Sequence, residues 1–166
     1  MNGSVFPSTA EVRQLPAHLR MTIPPNWQDR NGHVNVQFYL TLYELGGYEI
    51  LEEIDVGDRF LTDHDYGLFD FEHHLCYRAE LLVGHEVSGY NRILDMNQKR
   101  FHGMYFIIND TLDQLACTVE YITGGIDMKS RKTADFPVEL HAAVKRILST
   151  HQALPWTAPR CGAINV

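Results

Sequence analysis

The chain has 166 residues, 45% hydrophobic and 21% charged, with 14 Lys and Arg against 21 Asp and Glu for a formal net charge of −7. This composition fits one globular domain with a sizeable core, not a disordered or fibrous chain. The acidic balance argues against general nucleic-acid binding, which needs clustered Lys and Arg, and no apolar run approaches the roughly 20 residues that span a bilayer.

Residues 1–17 are aperiodic and contain Ser and Pro, which predicts a loose or wrapping arm. They lack the apolar h-region of a secretory signal. Three scattered cysteines, Cys76, Cys117 and Cys161, have no CxxC spacing. That pattern argues against a disulfide framework or zinc site and fits a reducing cytoplasm. "HLRMTI" reads as a first strand stopped by Pro24 and Pro25. From Val36 to about Ile54 the apolar residues fall on a helical period, and Leu40, Leu42 and Leu45 widen the apolar face toward full burial. Gly46 and Gly47 sit mid-helix, where each should cost about 1 kcal/mol against Ala. Close approach of a sheet to the helix backbone is the expected reason. "DVGDRF" then ends the helix.

Four strand-like runs follow: "GLFDFEHHLCY", "HEVSGYNRILDM", "KRFHGMYFIIN" and "LDQLACTVEYITG". "NDTLD" reads as the hairpin turn between the last two, and "FPVELHAAVKRIL" as a short C-terminal helix. A strand, a long helix, four strands and a short helix make an α+β layout. The expected architecture is a curved antiparallel sheet wrapped around a long central helix.

The chemistry concentrates in "WQDRNGHVNVQFY". Asn35 is a good N-cap, and Asp29 or Asn31 can close an Asx-turn. The start of a buried helix also offers unpaired N–H groups and the positive end of the macrodipole, a preformed oxyanion site. Asp29 lies just upstream, where a carboxylate can activate water or attack directly. Asn31 and His33 alternate with it and can hold that water or carboxylate. A carboxylate beside an oxyanion site implies acyl transfer, most simply hydrolysis of a thioester.

These residues resemble the signature of the hotdog-fold thioesterases, Asp-x-Asn-x-His-Val-Asn leading into the central helix. Asp29, Asn31, His33, Val34 and Asn35 match it, and "CYRAELLVG" resembles the family's Tyr-Arg-x-Glu segment at Tyr77, Arg78 and Glu80. The resemblance implies one hotdog domain over 18–137, flanked by the arm at 1–17 and a C-terminal helix and tail at 138–166. It implies an acyl-CoA thioesterase that needs no cofactor, with two units paired edge to edge as a homodimer or a dimer of dimers. Asp29 becomes base or nucleophile, and Asn31 and His33 its positioning partners. Val34, Asn35, Val36 and Gln37 form the oxyanion end. Many members carry a second asparagine where this chain has Val36, which puts that residue's part in the oxyanion site in question. A branch with its carboxylate mid-helix would use Glu44 or Glu49 instead.

In this context the basic stretch Lys129, Arg131 and Lys132 is expected to meet coenzyme A phosphates, with Arg100 a lesser choice. Tyr39, Tyr43, Phe69 and Glu80 are expected at the substrate. The aromatics, with Asp65 and Asp70 nearby, suit a quaternary ammonium through cation–π attraction. The chain is also similar to thioesterases of bacterial carnitine breakdown, which makes betainyl-CoA a substrate to test. "TDHDY" and "EHH" carry metal-binding residue types, but neighbours on a strand point to opposite faces, so no metal is expected. The competing reading is a non-catalytic hotdog module that binds acyl-CoA or a related ligand.

Overall fold

All four long strand-like runs are strands. In the computed structural model, which describes residues 5–166, they are β2 (Tyr66–Tyr77), β3 (Glu86–Met96), β4 (Arg100–Asn109) and β5 (Gln114–Asp127). With β1 (Ala17–Thr22) they form an antiparallel sheet in the order β1-β3-β4-β5-β2, and a two-residue β6 (Lys132–Thr133) extends it beside β5. The central helix α2 (Gln37–Gly47) lies in the concave face. The expected fold class therefore holds: α+β, a curled sheet around a helix.

Alternation along β5 sends Cys117, Val119 and Tyr121 toward α2, where they join Tyr39, Leu42, Tyr43, Tyr105 and Ile107 in the main core. The central strands β3, β4 and β5 are buried on both faces, so a second layer must cover the convex side. The N-terminal arm and the C-terminal tail supply it. Val12 and Leu15 from the arm, and Trp156 from the tail, pack with Tyr90, Met104, Phe106 and Ile108. The arm wraps as expected but is not loose over the described residues: Ser8 and Glu11 form a reciprocal capping box that starts the short helix α1 (Thr9–Val12). Residues 1–4 lie outside the described residues.

The structure departs from the predicted central helix in three respects. It is interrupted: α2 stops at Gly47 and a separate turn, α3 (Glu49–Glu52), follows. The Asn91 side-chain amide donates to the Gly47 carbonyl at 3.1 Å, and the Leu51 N–H turns to the Tyr48 carbonyl instead. A sheet side chain thus takes over one rung of the helical ladder. Secondly, α2 is not buried all round. Tyr39, Leu42, Tyr43 and Gly46 face the core, whereas Leu45 is 49% exposed. Thirdly, Gly57 does not end the chain's helical region. It precedes another short helix, α4 (Asp58–Asp63). The C-terminal helix α5 (Val138–Gln152) is also longer than expected, at 15 residues.

The glycine expectation holds at Gly46. A Cβ there would collide with the Tyr105 hydroxyl and lie 2.9 Å from Leu19 Cβ. This contact seats α2 against the sheet and so fixes where its N-terminal end points.

Candidate active site

The segment before α2 is a tight loop closed on its own carboxylate. The Asp29 N–H donates to the His33 carbonyl at 2.8 Å, and Gly32, at φ +87°, supplies the left-handed turn between them. Two flanking bonds tie the loop down: Val34 N–H to the Leu81 carbonyl and Asn35 N–H to the Trp27 carbonyl, both 2.9 Å. Trp27 stacks on Phe38 with ring centroids 4.6 Å apart, bracing the loop against the first turn of α2.

Inside this loop Asp29 Oδ1 accepts from the Asn31 N–H at 2.7 Å and from the His33 N–H at 3.2 Å. The Asn31 side-chain amide approaches Oδ2 at 3.4 Å. The Asn31 N–H is the main reason the Asp29 carboxyl is held below the usual carboxylate range. Asp29 is therefore ionised at neutral pH. Its Oδ1 is anchored, while Oδ2 has only the long Asn31 contact and keeps lone pairs for a water or an acyl carbon.

The N-cap position falls on Val36 and not, as expected, on Asn35, although the Asn35 Oδ1 still accepts the Gln37 N–H at 3.2 Å. The Phe38 and Tyr39 N–H groups go to the Asn35 and Val36 carbonyls. Among the described residues, the Val36 N–H is left as the first-turn donor without a hydrogen-bond partner. Asp29, His33, Val34, Val36 and Tyr39 share one open cavity of about 380 Å³ with Tyr77, Arg78, Ala79 and Glu80. An ionised carboxylate and the residue that carries the free helix-end donor thus line the same space. Tyr39 meets Tyr77 edge-on, with centroids 5.0 Å apart.

Some of the predicted residues fall elsewhere. The His33 imidazole does not touch Asp29; its Nε2 lies 2.9 Å from Glu80 Oε2, and only the His33 backbone holds the carboxylate. Glu80 is thereby tied to the Asp29 loop across the cavity. The box of Tyr39, Tyr43 and Phe69 does not assemble. Asp70 points to Tyr43 under the sheet, so its neighbour Phe69 points to the convex face, where Arg131 sits 5.9 Å over the ring. Lys129 is paired with Asp65 at 2.7 Å, and Lys132 is exposed on β6. Arg100 lies 5.3 Å over Phe71, so Arg100 and Arg131 both stack on aromatics near the start of β2.

A polar cluster deeper along α2 joins Tyr43 and Asp70, both expected near the substrate, to His73 and Thr123, for which the sequence suggests no such part. Asp70 accepts from the Tyr43 hydroxyl at 2.8 Å and the Thr123 hydroxyl at 2.5 Å, and His73 Nε2 lies at 3.0 Å. Burial alone would raise the Asp70 pKa, but the bonds from His73, Thr123 and Tyr43 outweigh it and leave it lowered. A narrow cleft lined by Tyr43, Tyr48, Phe101 and Tyr121 opens onto this carboxylate. Only a third-dimension contact, such as His73 with Asp70 across the bulge in β2, could have revealed it.

Comparison with known proteins identifies the family. Residues 23–144 match the model of the thioesterase-like superfamily. A betainyl-CoA thioesterase of Pseudomonas aeruginosa is 25% identical over 131 residues, 79% of this chain and 82% of the relative. A Staphylococcus aureus protein solved in complex with CoA superposes with a TM-score of 0.80 at 20% identity, covering 92% of this chain and 96% of its own. A 1,4-dihydroxy-2-naphthoyl-CoA thioesterase of Synechocystis gives a TM-score of 0.68 at 17% identity, covering 76% and 93%. Fold and site together define a hotdog thioester hydrolase. The chain belongs to the thioesterase-like superfamily.

Proposed function

We propose that this protein hydrolyses a short or polar acyl-CoA at the Asp29 site. The observation that carries this reading is that the anchored Asp29 carboxylate and Val36, whose N–H is unpaired, line one cavity. The thioester carbonyl oxygen accepts from Val36, with Gln37, Asn35 and Val34 shaping the turn that presents it. Asp29 Oδ2 either takes a proton from a water that adds to the carbonyl carbon or adds there itself. The C–S bond then breaks and coenzyme A leaves as a thiolate that needs little protonation. In the second route water cleaves the resulting anhydride, so both routes give acid and free thiol. Asn31 and the His33 backbone hold the carboxylate, and the His33–Glu80 pair fixes the loop. A binding module would need no carboxylate at the oxyanion end, which is why catalysis is favoured over the non-catalytic reading.

The relative's betainyl-CoA, with Asp70 among tyrosines, supports a cationic acyl end. The ammonium would sit against Tyr43 and Tyr48 with Asp70 as its counter-charge. The cleft holds about 20 Å³, room for little more than one water. Tyr48, 36% exposed at its mouth, must swing aside for a larger group.

Strand β2 is an edge strand of 12 residues. Unpaired edges of this length invite pairing with another chain. We place a second copy there, antiparallel. From Phe69 to Tyr77 is about 26 Å at roughly 3.3 Å per residue. Antiparallel pairing brings the partner's Phe69 end, with its Arg100 and Arg131, beside this chain's Asp29 cavity. The nucleotide phosphates would then be met from across the interface by Arg131, Arg100 and Lys132, while Lys129 stays engaged with Asp65. A cytoplasmic setting suits the three unpaired cysteines.

The test is thiol release from acetyl-, butyryl-, benzoyl-, palmitoyl- and betainyl-CoA, together with mixing of two variants. Asp29→Asn and Arg131→Ala chains, each impaired alone, should recover about a quarter of wild-type rate when mixed one to one, because half the dimers then hold one intact composite site. No recovery, from chains shown to exchange, would refute the shared site. Equal loss of betainyl and butyryl turnover in Tyr43→Phe would refute the cationic acyl end.

A further inference from the structure

A second group of chemically capable side chains lies on the convex face, on the other side of the sheet from the Asp29 cavity. His74 on β2 and Glu120 on β5 are direct cross-strand partners, so their side chains share one face. The C-terminal tail passes over them and brings Cys161 into place. One ligand atom from each of His74, Glu120 and Cys161 lies within 4.8 Å of the others. They line a partly open space of about 320 Å³, which leaves room for a further ligand.

Glu120 is the unusual member, a carboxylate only 1% exposed. His102 Nε2 lies 2.8 Å from Oε1, and the Cys161 N–H donates to Oε2 at 2.7 Å. Each carboxylate oxygen has two lone pairs, so each keeps one after these bonds. A buried carboxylate buttressed by a histidine is the arrangement that orients a metal ligand from behind. The two cations lining the space are engaged elsewhere: Arg78 sits 4.1 Å over the Phe6 ring, and Arg160 donates to the Leu94 carbonyl at 3.0 Å.

We propose that His74, Glu120 and Cys161 form a binding site for a zinc-class divalent cation that clasps the C-terminal tail to the edge strand. An imidazole, a carboxylate and a thiolate suit a borderline-soft ion and not Mg²⁺ or Ca²⁺, which take oxygen ligands. Binding displaces the Cys161 thiol proton to solvent, and the thiolate with Glu120 balances the two positive charges. Water from this space is the fourth ligand. Tetrahedral zinc with bonds of about 2.0–2.3 Å holds its ligands about 3.4–3.8 Å apart, so closure needs movements of about 1 Å. His74 is an exposed side chain and Cys161 lies on an irregular tail, and both can supply that movement. The site is independent of the thioesterase reading, since none of its three ligands lines the Asp29 cavity, and Arg78 alone borders both spaces.

The test is titration of chelator-treated, reduced protein with Co²⁺, reading the thiolate-to-cobalt charge-transfer band, then displacement by Zn²⁺ against a chromophoric chelator. The proposal expects one ion per chain. Cys161→Ser should lose the band, and Cys76→Ser should keep it. His74→Ala should weaken Zn²⁺ at least tenfold, and wild-type backbone exchange over 158–164 should slow when Zn²⁺ is added. Absence of saturable one-to-one binding, a band that survives Cys161→Ser, or unchanged affinity in folded His74→Ala would each overturn it.

Discussion

Gly46→Ala tests how the helix is seated. Helix propensity alone predicts a gain of about 1 kcal/mol, because Ala is the better residue inside a helix. The structure predicts the opposite sign. The new methyl would collide with the buried Tyr105 hydroxyl and lie 2.9 Å from the Cβ of the partly buried Leu19. Overpacking of this kind costs about 1–3 kcal/mol, so the net change should be a destabilisation of up to about 2 kcal/mol. The Tyr105 hydroxyl is buried and unpartnered, so Tyr105→Phe alone should be neutral or stabilising by about 1 kcal/mol. Removing that oxygen also removes the worst collision. In the Tyr105→Phe background Gly46→Ala should therefore be milder, with a coupling of about 1 kcal/mol or more. Urea unfolding of the four proteins gives all the terms. A stabilising Gly46→Ala, or strict additivity with Tyr105→Phe, would refute the argument that Tyr105 sets the helix position.

Three further outcomes are expected. His151 is buried beside Arg92, and its Nδ1 accepts the Ile93 N–H at 2.9 Å; burial first, and then the Arg92 charge, push its pKa down to about 4. Its stabilisation is thus complete above the unfolded value of about 6.5 and fades as pH falls toward 4, by at most about 3 kcal/mol. Urea midpoints from pH 7 to 4 should show that slope, and His151→Gln should flatten it. His33→Ala should lower kcat about tenfold or more with little change in KM, and Glu80→Gln less, because both act by fixing the Asp29 loop; a raised KM at constant kcat would instead make His33 a substrate-binding residue. Single turnover in ¹⁸O-water tests the nucleophilic route for Asp29: label in the Asp29 carboxylate and none in the product acid marks nucleophilic attack with water cleaving the anhydride at the aspartyl carbon, and label in the product acid with none in Asp29 is the outcome for general base.

Much of this architecture was legible because it rests on local rules. The two-residue alternation of β5 and the helical period beginning at Val36 are dictated by burial, and both elements formed. Asn35 accepts the Gln37 N–H because a short polar side chain before an apolar run has that local use, although the N-cap itself falls one residue later, on Val36. What failed was set by distant partners. The break after Gly47 depends on Asn91, a residue 44 positions away. The His33 imidazole turned to Glu80 because the chain after β2 returns beside the loop, a fact of topology and not of spacing. Phe69 left the expected box because the register of β2 against β5 decides which face each aromatic takes. The convex-face trio shows the same limit. His74, Glu120 and Cys161 have no recognisable spacing, and the pairing of β2 with β5 and the path of the tail create the cluster.

The most direct test of the central claim is thiol release by wild type and Asp29→Asn from the acyl-CoA panel, with folding and assembly of the variant confirmed first. Asn keeps the size of the side chain and an acceptor for the Asn31 and His33 N–H groups, but removes the charge. General-base or nucleophilic catalysis predicts a fall in kcat of about 10²–10⁴ with KM nearly unchanged. An Asp29→Asn variant that hydrolyses its preferred acyl-CoA at the wild-type rate would contradict the account and move the reacting carboxylate elsewhere.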